Sequence, residues 1–101
     1  METFTEKVIQ IIKNIPKGKV ASYGQIATLA GSPRAARQVV RILHSSSKKH
    51  NLPWHRVLNS QGNIALKKNE GFEVQKGLLE NEKVKVSDSG KIDLEKYLWT
   101  G

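Results

Sequence analysis

Apolar residues near the start of the chain recur at helical spacing: Phe4, Val8, Ile11, Ile12 and Ile15. Thr3-x-x-Glu6 stands ahead of them as a capping box, a side chain at each end satisfying an orphan backbone donor. Pro16-Lys17-Gly18-Lys19 ends this helix, since proline breaks the ladder and glycine permits the turn. Val20-Ala21 reads as a short extended link. Ser22-x-x-Gln25 is a second capping box, opening a helix from Tyr23 to Ala30 with Gly31 as its stop. Ser32-Pro33 predicts a third helix, with serine at the N-cap and proline at the first helical position, running to about His44. Ala36, Val39, Val40 and Leu43 make its inner face, and Arg34, Arg37, Gln38 and Arg41 lie together on another.

The pattern weakens after that. Ser45-Ser46-Ser47-Lys48-Lys49-His50-Asn51 reads as a polar, basic loop, and Asn59 to Asn63 as a turn. Ile64 to Leu66 predicts a short strand, and Lys67 to Gly71 a mobile loop. Phe72 to Glu82 predicts a fourth helix with Val74, Leu78 and Leu79 inward. A turn at Asp88-Ser89-Gly90 precedes a terminal Tyr97-Leu98-Trp99 packed on the body. There is no internal repeat. The sum is one domain over residues 1–101, mostly α, with a winged helix-turn-helix-like core and a short β wing.

Composition narrows the chemistry. The 101 residues hold no cysteine, so disulfides, thiolate nucleophiles and Cys-based metal sites are excluded. No apolar run approaches the roughly 20 residues of a membrane span. Met1 to Glu6 lack the basic start and apolar stretch of a signal peptide, which predicts an intracellular, cytoplasmic protein with no membrane partner. Net charge is +8, and all of the excess sits in residues 1–56, because residues 57–101 carry seven lysines against seven acids. That asymmetry points to a polyanion such as nucleic acid; a solubility charge is the plainer alternative. Two short helices joined by a Gly-Ser-Pro turn, the second of them basic, suggest a helix-turn-helix, against a generic helical hairpin with solvated arginines.

Three segments carry candidate chemistry. Arg34-Ala35-Ala36-Arg37 combines small side chains, which allow close approach to DNA, with arginines that bind phosphate or enter the base stack. Tyr23 opens a helix where backbone N–H groups and a phenol suit a phosphate, unless it is a core tyrosine. Pro53-Trp54-His55-Arg56 suits a stacking pocket for a base, unless Trp54 is simply packed. His55 has no partners at ligand spacing, so no metal site is expected.

Four segments, in this order, resemble the DNA-binding domain of the O6-alkylguanine-DNA alkyltransferases. They are Ile15-Pro16-x-Gly18-x-Val20-x-Ser22-Tyr23-Gly24-x-Ile26-Ala27, Ala30-Gly31-Ser32-Pro33-Arg34-Ala35-Ala36-Arg37, Pro53-Trp54-His55-Arg56-Val57 and Leu78-Leu79-x-x-Glu82. Where that family has Pro-Cys-His-Arg-Val, this chain has tryptophan at the cysteine position, Trp54, which marks the alkyltransferase-like, non-catalytic subgroup. Alkyl transfer needs a soft, activated nucleophile, and an indole offers none.

The resemblance implies a protein that is not an enzyme, needs no cofactor and acts as a monomer. It would bind O6-alkylguanine in duplex DNA by minor-groove docking and nucleotide flipping, leave the alkyl group in place, and block or flag the lesion for nucleotide excision repair proteins. Tyr23 matches the tyrosine that pushes a phosphate to rotate the nucleotide, and Arg37 the finger that fills the gap. Ser32, Arg34, Ala35, Ala36 and Arg41 join the DNA surface. Trp54, with His55, Arg56, Lys67 and Glu82, would form the lesion pocket, His55 and Glu82 matching a proton-relay pair left with a structural role. Seven residues before Pro53, Ser46 replaces an asparagine that braces the family's loop, and a serine makes fewer hydrogen bonds. Two other readings are a sequence-specific helix-turn-helix regulator and a glycosylase acting through Glu82 or His55. A bacterial setting would place the protein at the nucleoid, a eukaryotic one in the nucleus.

Overall fold

Both capping boxes form as the sequence predicts. In the computed structural model, which describes residues 3–101, α1 spans Phe4–Lys13, and Thr3 and Glu6 cap each other's backbone N–H. Met1 and Glu2, at the head of the stretch read as lacking a leader, lie outside the described residues. The α1 helix buries Val8, Ile9 and Ile12, so Ile9 takes the inward place expected of Ile11. Strand β1 is Ala21–Ser22, and α2 follows at once over Tyr23–Leu29, with Ser22 and Gln25 in the second box.

The third helix departs from expectation at both ends. Ser32 is not its N-cap. The Ala35 N–H donates to the Ser32 carbonyl at 2.9 Å, so Ser32-Pro33-Arg34-Ala35 closes a β-turn with proline at its favoured second position. Helix α3 then starts at Ala36 and runs to His50. The polar stretch expected as a loop is therefore its last two turns, and Ser46 lies on a helix. Ser45 and Ser47 hydroxyls bond back to the carbonyls of Ile42 and Leu43, which lets serines sit in a helix. Lys48, Lys49 and His50 favour the negative end of the dipole, and Asn51, at φ 51, stops it. Ile42 is buried, while Val40 is only half so.

Past α3, Trp54–Arg56 form a 3-10 turn leading into β2, Val57–Leu58. Strands β1 and β2 pair in parallel, Ala21 opposite Val57 and Ser22 opposite Leu58. Alternation along these strands divides the core. Ala21 and Val57 face a cluster made with α1, α2 and α3; Val20 and Leu58 face a second cluster with Ile64, Phe72, Leu79 and Ile92. Each large aliphatic side chain so buried contributes roughly 1.5–3 kcal/mol.

The segment 64–66 forms no strand; the Ile64 N–H instead reaches the Gly90 carbonyl at 2.9 Å, beside a single antiparallel bridge between Asn63 and Lys91. Lys68–Glu70 is a 3-10 turn rather than a loose loop, ended by Gly71 at φ 115. Helix α4, Phe72–Asn81, buries Phe72, Gln75 and Leu79; Leu79 is inward as expected, but Val74 and Leu78, expected beside it, are exposed. The physical reason is Gln75, whose polar side chain shares the Phe72–Leu79 face and finds buried partners there. The chain closes with α5, Leu94–Tyr97, and a tail in which Leu98 bridges Val20. Among the described residues, no helix is long and apolar enough to cross a membrane.

Candidate nucleic-acid interface

The exposed basic face starts at the turn before α3. Arg34, Arg37 and Arg41 are exposed, as is Ser32, while Ala35 and Ala36 are half-buried. Among the described residues, none of the three arginines pairs with a carboxylate. Ser32, Arg34, Ala35 and Arg37 rim a shallow depression together with Pro33 and Gln38. The small alanines leave the helix entrance flat, so a duplex backbone or groove floor can come close.

Arg37, Arg41, His44 and Lys48 succeed one another at steps of four, three and four residues, so they share one side of α3. Of that row, His44 also lines a cavity of about 270 Å³, walled with it by Tyr23 from α2, Val40 and Ser47 from α3, and Trp54. Leu66, Glu70 and Gln75 close its far side. The volume approaches the roughly 300–1,000 Å³ of ordinary small-ligand pockets. Burial pushes the Tyr23 phenol above its ordinary pKa, so the hydroxyl stays a neutral hydrogen-bond donor at physiological pH.

His55, Arg56 and Glu82 gather beside this cavity rather than in it. His55 Nε2 lies 2.9 Å from Glu82 Oε2. Arg56 donates through Nε to Oε1 at 3.0 Å and through Nη2 to Oε2 at 2.6 Å. Its remaining Nη1 donates to the Ile15 carbonyl at 2.8 Å, so the guanidinium joins three segments and has little left for a ligand. Burial alone raises the Glu82 pKa, but hydrogen bonds and positive charge from Arg56 and His55 outweigh it and hold the carboxyl at about 2. Lys67 is exposed and sits between Leu66 and the turn that carries Glu70, next to the cavity wall but not in it.

Gln75 was missed by periodicity because a glutamine scores as surface. It is 2 % exposed, and its Nε2 donates to the carbonyls of His55 and Val57, both at 3.1 Å. Its place on the Phe72–Leu79 face was the available signal. His44, Ser47 and Glu70 were also missed as cavity residues. No group of three or more His, Asp or Glu among the described residues is arranged to hold a metal ion.

A helical pair with a basic second helix, backed by a cavity that holds a tryptophan, defines a DNA-binding type of domain. Residues 3–84 match the family model for the 6-O-methylguanine DNA methyltransferase DNA-binding domain, and the chain belongs to that family. It is 46% identical over 99 residues to a DNA base-flipping protein of Vibrio parahaemolyticus, covering 98% of each chain. It is 38% identical to alkyltransferase-like protein 1 of Schizosaccharomyces pombe, covering 98% of this chain and 96% of that one. The crystal structure of S. pombe Atl1 with damaged DNA containing O6-carboxymethylguanine superposes with a TM-score of 0.88 at 36% identity, each chain fully covered. The chain thus falls in the alkyltransferase-like, non-enzymatic subgroup, as Trp54 at the cysteine position implied.

Proposed function

We infer that this protein binds O6-alkylguanine in duplex DNA, rotates the damaged nucleotide out of the helix and leaves the alkyl group in place. The observation that carries the reading is the shared cavity of Tyr23 and Trp54, whose His44 wall lies on the same side of α3 as Arg37 and Arg41, arginines that pair with no carboxylate among the described residues. In this reading α3 lies in the minor groove, where Ala35 and Ala36 allow close approach. Arg37 occupies the gap in the stack, Tyr23 donates to the displaced phosphate, and Arg34, Arg41 and Ser32 hold the backbone. Trp54 stacks against the flipped base. Flipping costs a few kcal/mol, less for a poorly paired base, which gives one source of lesion preference.

His55, Arg56 and Glu82 support the site from behind; with an indole in place of a thiol, no group is left for the relay to activate. The bound complex then serves as a flag for nucleotide excision repair proteins, with the protein acting as a cytoplasmic or nucleoid-associated monomer. This last step rests on family likeness.

The test is a titration at fixed salt on duplexes with and without O6-methylguanine, followed by recovery of both partners. Tighter binding to the damaged duplex, with DNA adduct and protein mass unchanged, is the expected result. Equal affinities overturn the lesion reading. An added methyl mass on the protein overturns the non-enzymatic one.

A further inference from the structure

The last residues of the chain lie beyond the span matched by the family model, yet they fasten onto the junction that carries Tyr23. The Val20 N–H donates to the Tyr97 carbonyl at 2.9 Å, and the Trp99 N–H donates to the Val20 carbonyl at 2.8 Å. Val20 precedes β1, so β1 and its lead-in are held between the tail on one side and β2 on the other. Trp99 also packs against the helical core cluster.

One side chain ties the tail to α2 itself. Gln25 Nε2 donates to the Trp99 carbonyl at 2.6 Å, while its Oε1 accepts the Ser22 N–H at 3.4 Å. A carbonyl only accepts and a backbone N–H only donates, so these partners fix which way the amide points. Ser22 caps α2, and Tyr23 is the first residue of that helix. The Gln25 amide therefore spans from the tail to the turn that aims the phenol into the cavity.

We propose that Gln25, bonded to the Trp99 carbonyl, is a positioning residue that lets the C-terminal tail set the placement of Tyr23 for nucleotide flipping. This rests on the flipping reading above. Only a side chain with both a donor and an acceptor serves. A glutamate there keeps the capping box and adds favourable charge at the helix N-terminus, so α2 still forms. It cannot donate to Trp99, and its oxygen would meet the carbonyl oxygen head-on.

Gln25→Glu is thus the discriminating variant, paired with a chain ending at Tyr97. Two readouts separate the layers. In the free protein, amide hydrogen exchange over residues 23–27 should rise about fivefold or more in Gln25→Glu, with the helical circular dichroism kept. On DNA, Gln25→Glu should bind lesion duplex about five- to tenfold more weakly, the effect of losing one hydrogen bond to a positioned group, while undamaged duplex binds within about twofold of the parent. In the shortened chain, adding Gln25→Glu should change nothing further. Unchanged exchange overturns the tether. Raised exchange with full lesion preference overturns the positioning role. A parent protein that shows no lesion preference sinks the flipping reading, and the exchange result still decides the tether.

Discussion

The guanidinium of Arg56 meets the carboxylate of Glu82 edge to edge, at 3.0 and 2.6 Å, and His55 shares one of the carboxylate oxygens. Both partners are about nine-tenths buried at the side chain, so the pair is well shielded from water. In a thiol-bearing relative such a cluster would tune a nucleophile. Here it clamps the Trp54–Arg56 turn to the C-cap of α4 and, through Ile15, to the end of α1.

That clamp has a pH signature. The folded-state pKa of Glu82 is lowered to about 2, so its contribution to stability is complete above the ordinary carboxylate range and is lost as pH falls through about 2. Glu82→Gln should lower stability by roughly 2–4 kcal/mol near neutral pH, since Arg56 loses its charge partner. Denaturant unfolding of the two proteins between pH 7 and pH 2 checks this: their difference should shrink toward the acid end. A constant difference would mean the carboxylate charge is not what stabilises the clamp.

Gln75 offers a second stability test. Its amide bridges two carbonyls inside the protein, so Gln75→Leu strands both. The expected cost is about 1–3 kcal/mol in spite of the gain in apolarity. Thermal unfolding measures it, and a neutral or stabilising outcome would show that the carbonyls find other donors.

Trp54→Ala should remove about 1–3 kcal/mol of lesion affinity, the range for stacking a base on an aromatic ring, and should spare undamaged duplex. Competition titration with the two duplexes separates these. Equal loss on both would make Trp54 a packing residue only.

Arg37 and Arg41 should differ in kind. Arg41→Ala removes a phosphate contact, so binding weakens alike on all duplexes and the slope of log affinity against log salt falls by about one. Arg37→Ala empties the gap in the stack, so the loss should concentrate on lesion duplex. Salt titrations of both variants decide it; identical behaviour would refute the finger role.

Local rules fixed a good part of this molecule from the chain alone. Both capping boxes, α1, α2 and the basic face of α3 follow from spacing and cap chemistry, which act within a few residues. The substitution of tryptophan for a nucleophile is likewise plain in the letters, because the absence of sulfur is a fact of composition. Tertiary structure decided whatever depended on distant partners. Ser32-Pro33 satisfies the cap pattern and the turn pattern equally, and the fold chose the turn. Gln75 shares the Phe72–Leu79 face by spacing, but it could be buried there only because two carbonyls from another segment lie within reach, and spacing does not name those partners. The tail met Val20 across 78 residues of sequence, from Val20 to Leu98, and the cavity formed only where α2, α3 and Trp54 converged. Hydrophobic spacing reports which face is buried in isolation; buried polar groups and chain ends take their places from the geometry of their partners.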